Sequence, residues 1–426
     1  MPARPFLHAV AATAGVTALL LTGVTAAASP ESEVAQRDIR YIDWRTPSEF
    51  ASGTAEGVRV KNGALTIAEP VGTLEYTDPF GDGTAKRYEY ATWTSDSIDL
   101  GFAATELIPS WNAKTPGGSW VEIKLRGVTE LGDTTKWYIL GRWAEGDAHI
   151  HRTSVSRQGD DNGYVAIDTF VAYEGRGWTS FQVQVTLLRP AGTGVTPRVR
   201  AVGAVASRLP DDAEITPSTP SIGATVLDVP QYSQQLHVGH YPEWDNGGQA
   251  WCSPTSTSMI LSYWGKGPKP EDYAWVEPKP HQDPWVDYAA RHTYDYNYEG
   301  AGNWPFNTAY AARYGLNAFV TRLRSLNEAE AFIAAGIPIV VSAAWEKGEV
   351  PGADYGTNGH LLLIVGFDAD GNPVMNDPNA KTNDGVRKTF GRAEFERVWL
   401  SHSGGVTYVI HPPNVPLPPA PPQANW

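Results

Sequence analysis

The chain has 426 residues, a formal net charge of −14, a single cysteine, 16 Trp and 19 Tyr. This length suits two domains of ordinary size. The acidic balance excludes nucleic acid or an anionic membrane as the main partner, and one cysteine excludes an internal disulfide.

Arg4, an uncharged apolar run over 9–24 and three alanines at 26–28 read as a secretory signal over residues 1–28. The run is short for a membrane span and is followed by Pro30-Glu-Ser-Glu33. No later stretch is long and apolar enough to cross a bilayer. The protein is therefore expected to be secreted or cell-envelope associated, with no transmembrane anchor. Residues 29–40 are polar and expected to be loose.

From 41 to 209 the sequence predicts short alternating strands. Segments 57–61 and 64–67 flank Asn62-Gly63, a strong hairpin signal. In 120–126, Val121, Ile123 and Leu125 share one face. Segments 137–143, 164–172, 181–187 and 198–205 repeat the theme. Strands punctuated by Gly, Pro and Asp turns predict an all-β sandwich, jelly-roll-like. Trp111 and Trp120 are its candidates for stacking on a sugar. His149 and His151 would share a strand face but lack a third ligand, so they read as surface histidines.

Residues 210–225 are polar and rich in Pro and Ser, the composition of an interdomain linker. Beyond them the pattern changes. Helices are predicted after Ser253 and at 285–292, 307–314 and 328–335, the last with Asn327 as cap and Gly336 as stop. Strands are predicted at 337–343, 361–367, 373–376 and 406–411. Helices followed by antiparallel strands make 226–411 an α+β domain. The Pro-rich tail, 412–426, is expected to be extended or disordered.

Cys252 stands in Gln249-Ala-Trp-Cys-Ser-Pro-Thr-Ser256. Ser253 suits an N-cap and Pro254 the first helical position. A thiol beside a helix N-terminus is biased toward thiolate, the nucleophilic form. A free cysteine is more often a small buried apolar residue, but the downstream residues favour catalysis. His360 opens a very apolar strand, and a hairpin over 368–372 returns the chain so that Asp377 lies within about two residues of pairing with it, where diagonal neighbours sit about 7–8 Å apart. Asp377 would orient His360, and His360 would take the proton of Cys252, as in a catalytic triad. Alone, His360 would read as a strand-end histidine and Asp377 as a turn residue before Pro378. The run 368–372 fits a hairpin turn better than a calcium loop, because no glutamate completes the spacing. His237 and His240 read as solvent-facing or active-site rim.

Four motifs occur in order: Val-Pro-Gln-Tyr-Ser-Gln over 229–234, Cys-Ser-Pro-Thr-Ser over 252–256, Gly359-His360 before the apolar strand, and Asn-Asp-Pro over 376–378. Through them residues 226–411 resemble the papain-like cysteine peptidases related to bacteriocin-processing leader peptidases. The resemblance implies a papain-like fold, a Cys/His/Asp triad, no metal and no cofactor. It also implies an oxyanion-donating glutamine upstream of the cysteine. Carried over, that residue is Gln234. Gln249, much nearer in sequence, is the alternative. Two positions depart from the family pattern: Ser253 replaces the usual glycine, and the insert 236–248 separates Gln234 from Cys252.

The expected activity is that of a secreted thiol hydrolase, a peptidase or amidase working through an acyl-enzyme. Its expected substrate is a peptide or a cell-wall-derived amide, with carbohydrate a further candidate partner of the N-terminal domain. The same triad would serve an acyltransferase if an amine resolves the acyl-enzyme. The remaining alternative is a non-catalytic carbohydrate- or cell-wall-binding protein with an inactive papain-like domain.

Overall fold

The computed structural model describes residues 37–210 and 215–426. The signal at 1–28 and linker residues 211–214 lie outside them.

Alternation decides the N-terminal region. In the strand Trp120–Thr129, Val121, Ile123 and Leu125 are fully buried. The antiparallel register with Trp178–Pro190 sets Val121 opposite Leu187, Ile123 opposite Val185 and Leu125 opposite Val183. Every one of these cross-strand pairs is therefore apolar, which is how a half-buried sheet holds its register. Asn62 and Gly63 both take positive φ, 51° and 71°, and join Val58–Lys61 to Ala64–Ile67 as the two-residue turn their sequence predicts.

Two seven-stranded antiparallel sheets result. One is centred on Arg198–Arg208, which pairs with Asp38–Trp44, Ala64–Ile67 and Glu106–Lys114. The other is centred on Trp178–Pro190, which pairs with Ala85–Thr94, Ile98–Ala104 and Trp120–Thr129. Trp111 and Val202 of the first and Trp93, Ile123 and Val185 of the second join a single core. The segment expected to be loose is already strand from Asp38.

A third seven-stranded sheet runs Asn317–Arg322, Val406–His411, Ile339–Trp345, Thr357–Phe367, Pro373–Asn376, Arg387–Thr389, with Thr225–Val226 paired to Thr357–Phe367 as the seventh strand. Helices flank it: Cys252–Tyr263, Pro284–Thr293, Trp304–Ala312, Leu326–Ala334 and Arg392–Ser403. The molecule is thus mostly β-sheet, with several sheets and few helices, and multidomain. The N-cap of Leu326–Ala334 is Ser325, two residues before the predicted Asn327. The helix Arg392–Ser403 was not predicted, since its charged residues dilute the apolar pattern.

The regions meet through a shared apolar core, where Phe306 packs against Trp111 and Trp143, and through polar contacts around it. Asn112 and Ser110 pair with the backbone of Ala318 and Val320, so side chains of the first region satisfy the exposed edge of the third sheet. Asp147 grips Arg291 through two bonds, of 2.8 and 2.9 Å. Asp168 accepts from the Trp304 amide at the start of a helix, at 2.7 Å.

Two segments depart from expectation. In the linker, Ser218 donates to Glu396 and Ser221 to Glu330, while Arg392 donates to the Ser218 carbonyl. The tail carries no helix or strand, yet it is held. Gln423 bonds Ile39, Asp38 and Arg324, Ala424 accepts from Tyr41, Asn425 is fully buried, and the Trp426 ring lies 5.0 Å from Phe332. Side chain-to-backbone bonds do here what an apolar pattern does elsewhere.

Candidate active site

Cys252 is the first residue of its helix. The N-cap is Trp251, not Ser253, and it makes no side-chain capping bond. The Ser253 hydroxyl instead faces the Tyr408 hydroxyl at 3.0 Å inside the core. From Ser253 to Leu261 every residue is buried. The small hydroxyl side chains permit that burial by bonding to nearby carbonyls, Thr255 to Trp251 and Ser256 to Leu361. The helix is held against the strand of His360, and Cys252 emerges half-buried at its N-terminal end.

His360 and Asp377 come together through the hairpin. Leu363 pairs with Asn376, so the two residues lie diagonally at the same open end of adjacent strands. Their side chains meet, His360 Nε2 to Asp377 Oδ1, at 2.9 Å. Nδ1 is then the nitrogen left for Cys252. Burial disfavours the charged imidazole, but hydrogen bonds and charge from Asp377 and Cys252 outweigh it and push its pKa up to about 9. That is about 3 kcal/mol of preference for imidazolium. Burial likewise opposes charge on Asp377, yet His360 and Lys388 hold its carboxyl well below the usual range. Trp345 and Tyr355 stand edge-on to the imidazole, with ring centres 6.0 and 5.9 Å away.

Three partners of Asp377 escape a sequence reading. Tyr355 donates its hydroxyl at 3.2 Å, Lys388 its ammonium at 3.1 Å and Asn379 its amide at 3.0 Å. Tyr355 lies in the loop before Thr357–Phe367 and Lys388 in a three-residue edge strand, so no motif links them to Asp377.

Gln234 is buried and lines the same cleft, of about 500 Å³, as Cys252, His360, Tyr298, Trp304 and His402. The insert does not carry it away. Val238 and Gly247 form a bridge that closes the insert on itself, and the turn Gln234–His237 meets the turn Gly248–Ala250. Gln234 Nε2 donates to the Gln249 carbonyl at 2.7 Å, which leaves its second N–H free of that bond. Its backbone amide donates to Pro378, tying it to the Asp377 loop. Gln249 also lines the cleft, but its side chain is exposed.

Two family models match the chain. The model described as "Peptidase C39 N-terminal domain" matches residues 40–207, and that described as "Peptidase_C39 like family" matches residues 226–406. Residues 226–406 belong to the C39-like peptidase family. No curated protein matches the chain. Among solved structures, a protein described as a C39-like peptidase from Bacillus anthracis is similar at 16% identity, over 44% of this chain and 98% of its own, with a TM-score of 0.29. An endo-beta-1,3-glucanase from Pyrococcus furiosus is similar at 12% identity, over 42% of this chain and 93% of its own, with a TM-score of 0.19. Scores this low carry no argument, so the assignment rests on the family models.

Outside the C39-like cleft, other candidates are placed differently from their sequence reading. Trp111 and Trp120 are buried, and Trp111 packs edge-on to Phe306. Neither presents a face to a sugar. His151 lies outside any strand and bonds Asp78 at 2.8 Å. His237, expected to face solvent or line the rim, is fully buried. It is oriented by Asp287.

Proposed function

We propose that the protein is a secreted thiol hydrolase, a peptidase or amidase of papain-like design, acting on peptides or cell-wall-derived amides. The observation that carries this reading is the His360–Asp377 pair, with its raised imidazole pKa, in a cleft that also holds a helix-end cysteine. Cys252, whose proton rests on His360, attacks the substrate carbonyl carbon as thiolate, forming a C–S bond. The Gln234 amide and the Cys252 backbone N–H receive the oxyanion. His360 then returns its proton to the departing amine as the C–N bond breaks. Water, losing a proton to His360, opens the thioester and frees the acid. The thiol is restored. An amine in place of water would give acyl transfer.

The N-terminal domain, read as a jelly-roll-like sandwich, positions the substrate. A second cavity, lined by Glu106, Ile167 and Asp168 of that domain, shares Tyr298, Trp304 and His402 with the cleft. An extended chain leaving Cys252 in that direction runs between the two domains. Export through the signal at 1–28 places the enzyme in the cell envelope or outside the cell.

The test is incubation of the wild type and variants with a peptide library and a peptidoglycan digest, read by mass spectrometry. Cys252→Ala and His360→Ala are expected to abolish product formation while circular dichroism stays unchanged. Gln234→Ala should slow turnover about 10²–10³-fold and Gln249→Ala only mildly. The reverse ranking moves the donor to Gln249. Full activity in His360→Ala rejects the mechanism.

A further inference from the structure

Outside the lining of the cleft, three imidazoles surround one carboxylate. Asp287, in the first turn of Pro284–Thr293, is fully buried. His237 Nδ1 lies 2.8 Å from its Oδ2, His281 Nε2 2.8 Å from the same oxygen, and His240 Nδ1 3.1 Å from Oδ1. One ligand atom from each of the four residues falls within 4.8 Å of all the others. No lysine or arginine pairs with Asp287 among the described residues. A buried carboxylate with only imidazole neighbours is short of compensating positive charge.

We infer that His237, His240, His281 and Asp287 form a structural zinc site. Three imidazoles and one carboxylate are a closed four-ligand set of the kind zinc takes, whereas calcium and magnesium require oxygen donors. Tetrahedral zinc with arms of about 2.0–2.1 Å sets its ligands about 3.3 Å apart. The ligand atoms lie within 4.8 Å of one another and as close as 2.8 Å, so the widest spacings must close by up to about 1.5 Å and the shortest open by about 0.5 Å when the ion binds. The alternative is a metal-free hydrogen-bonded cluster with one imidazole protonated. It gives no reason for three histidines to gather on one buried acid.

The ligands arrive from three segments. His237 and His240 lie at the start of the insert, and His281 ends the irregular stretch that follows Cys252–Tyr263. Asp287 sits on a helix. Tyr241, Trp244 and Trp275 already pack these connections against Val286 and Ala290 of the helix, and one ion would fasten both to it at a second point. His237 also closes the turn that opens with Gln234. The ion would thereby fix the base of the cleft wall without touching substrate.

The experiment uses the full chain carrying Cys252→Ala, so that the thiol cannot compete for metal. After chelation and dialysis, zinc is titrated by calorimetry and metal content is measured after gel filtration. One zinc per chain is expected, with a melting midpoint that rises with zinc concentration. Cobalt should give the intense visible absorption of a tetrahedral site. His240→Ala, the replacement of the most exposed ligand, should weaken zinc binding at least about tenfold. Should that variant not fold, His281→Gln and the cobalt spectrum of the parent decide in its place. A folded parent that retains no zinc, gives no tetrahedral cobalt spectrum and melts unchanged overturns the inference in favour of the hydrogen-bonded cluster. So does zinc binding that survives both substitutions undiminished.

Discussion

At the scale of the residue, the chemistry turns on where one proton rests. The His360 imidazole, with a pKa of about 9 against an ordinary 6.5, stays protonated through neutral pH. The stability its pairing confers is fully present below 6.5 and is lost as pH rises through about 9. A rate that needs imidazolium should fall over the same upper range. Asp377→Asn keeps the hydrogen-bonding shape but removes the charge. The alkaline limb of kcat/KM should then move to lower pH, with the loss larger near pH 8.5 than near pH 6, as expected for a titrating acid (about one decade of rate per pH unit beyond its pKa). A pH profile of both proteins checks this, and an unmoved limb would assign the titration to another group.

At the scale of the element, the meeting of two short turns decides whether Gln234 serves the cleft. A Cβ on Gly248 would lie 2.4 Å from both the Gln234 carbonyl oxygen and the His237 carbonyl carbon, backbone atoms that cannot swing aside. Gly248→Ala should force the turns apart, lower stability by about 1–3 kcal/mol and slow turnover more than Gln249→Ala does. Thermal melts beside turnover assays test it, and a fully active, equally stable variant would show that the contact yields. The placement of His360 and Asp377 was legible in the sequence, because a short turn between apolar strands leaves little choice of register. The approach of Gln234 to Cys252 was not, since it depends on the bridge between Val238 and Gly247 folding the insert away. Nor was the true start of the Cys252 helix. Ser253 has the chemistry of a cap, but it is buried against Tyr408, and tertiary contact overrode local preference. The grouping of His237, His240, His281 and Asp287 needs distant loops to converge, and no spacing rule reveals that.

At the scale of the whole molecule, the interface between the domains contains its own pH dependence. Asp168 reaches across to the helix at Trp304, and burial pushes its pKa from 3.8 up to about 7. Between those values the folded chain keeps a proton that the unfolded chain has lost. Stability from this group is therefore fully present below 3.8, declines as pH rises to about 7, and leaves a buried charge above that. Asp168→Asn can still accept from the Trp304 amide and carries no charge. It should stabilise the protein by roughly 1–3 kcal/mol at alkaline pH and have little effect in acid. Melting curves at both extremes would show it, and equal shifts at the two would sink the explanation.

The clasp formed by Gln423 and Ala424 on the strand Asp38–Trp44 bears on the order of folding. Gln423 bonds Asp38 and Ile39 across 385 and 384 positions of sequence. Closing so long a loop costs entropy that only the finished contact repays, and contacts of such span slow folding. The first strand can pair with Arg198–Arg208 much earlier, but its outer edge waits for residues that follow both domains. Until they arrive, the Tyr41 amide and part of the Arg324 guanidinium lack their final partners. Completion of this sheet edge is thus tied to delivery of the far end of the sequence, and a chain that stops short of it keeps an open, pairing-competent strand at its beginning.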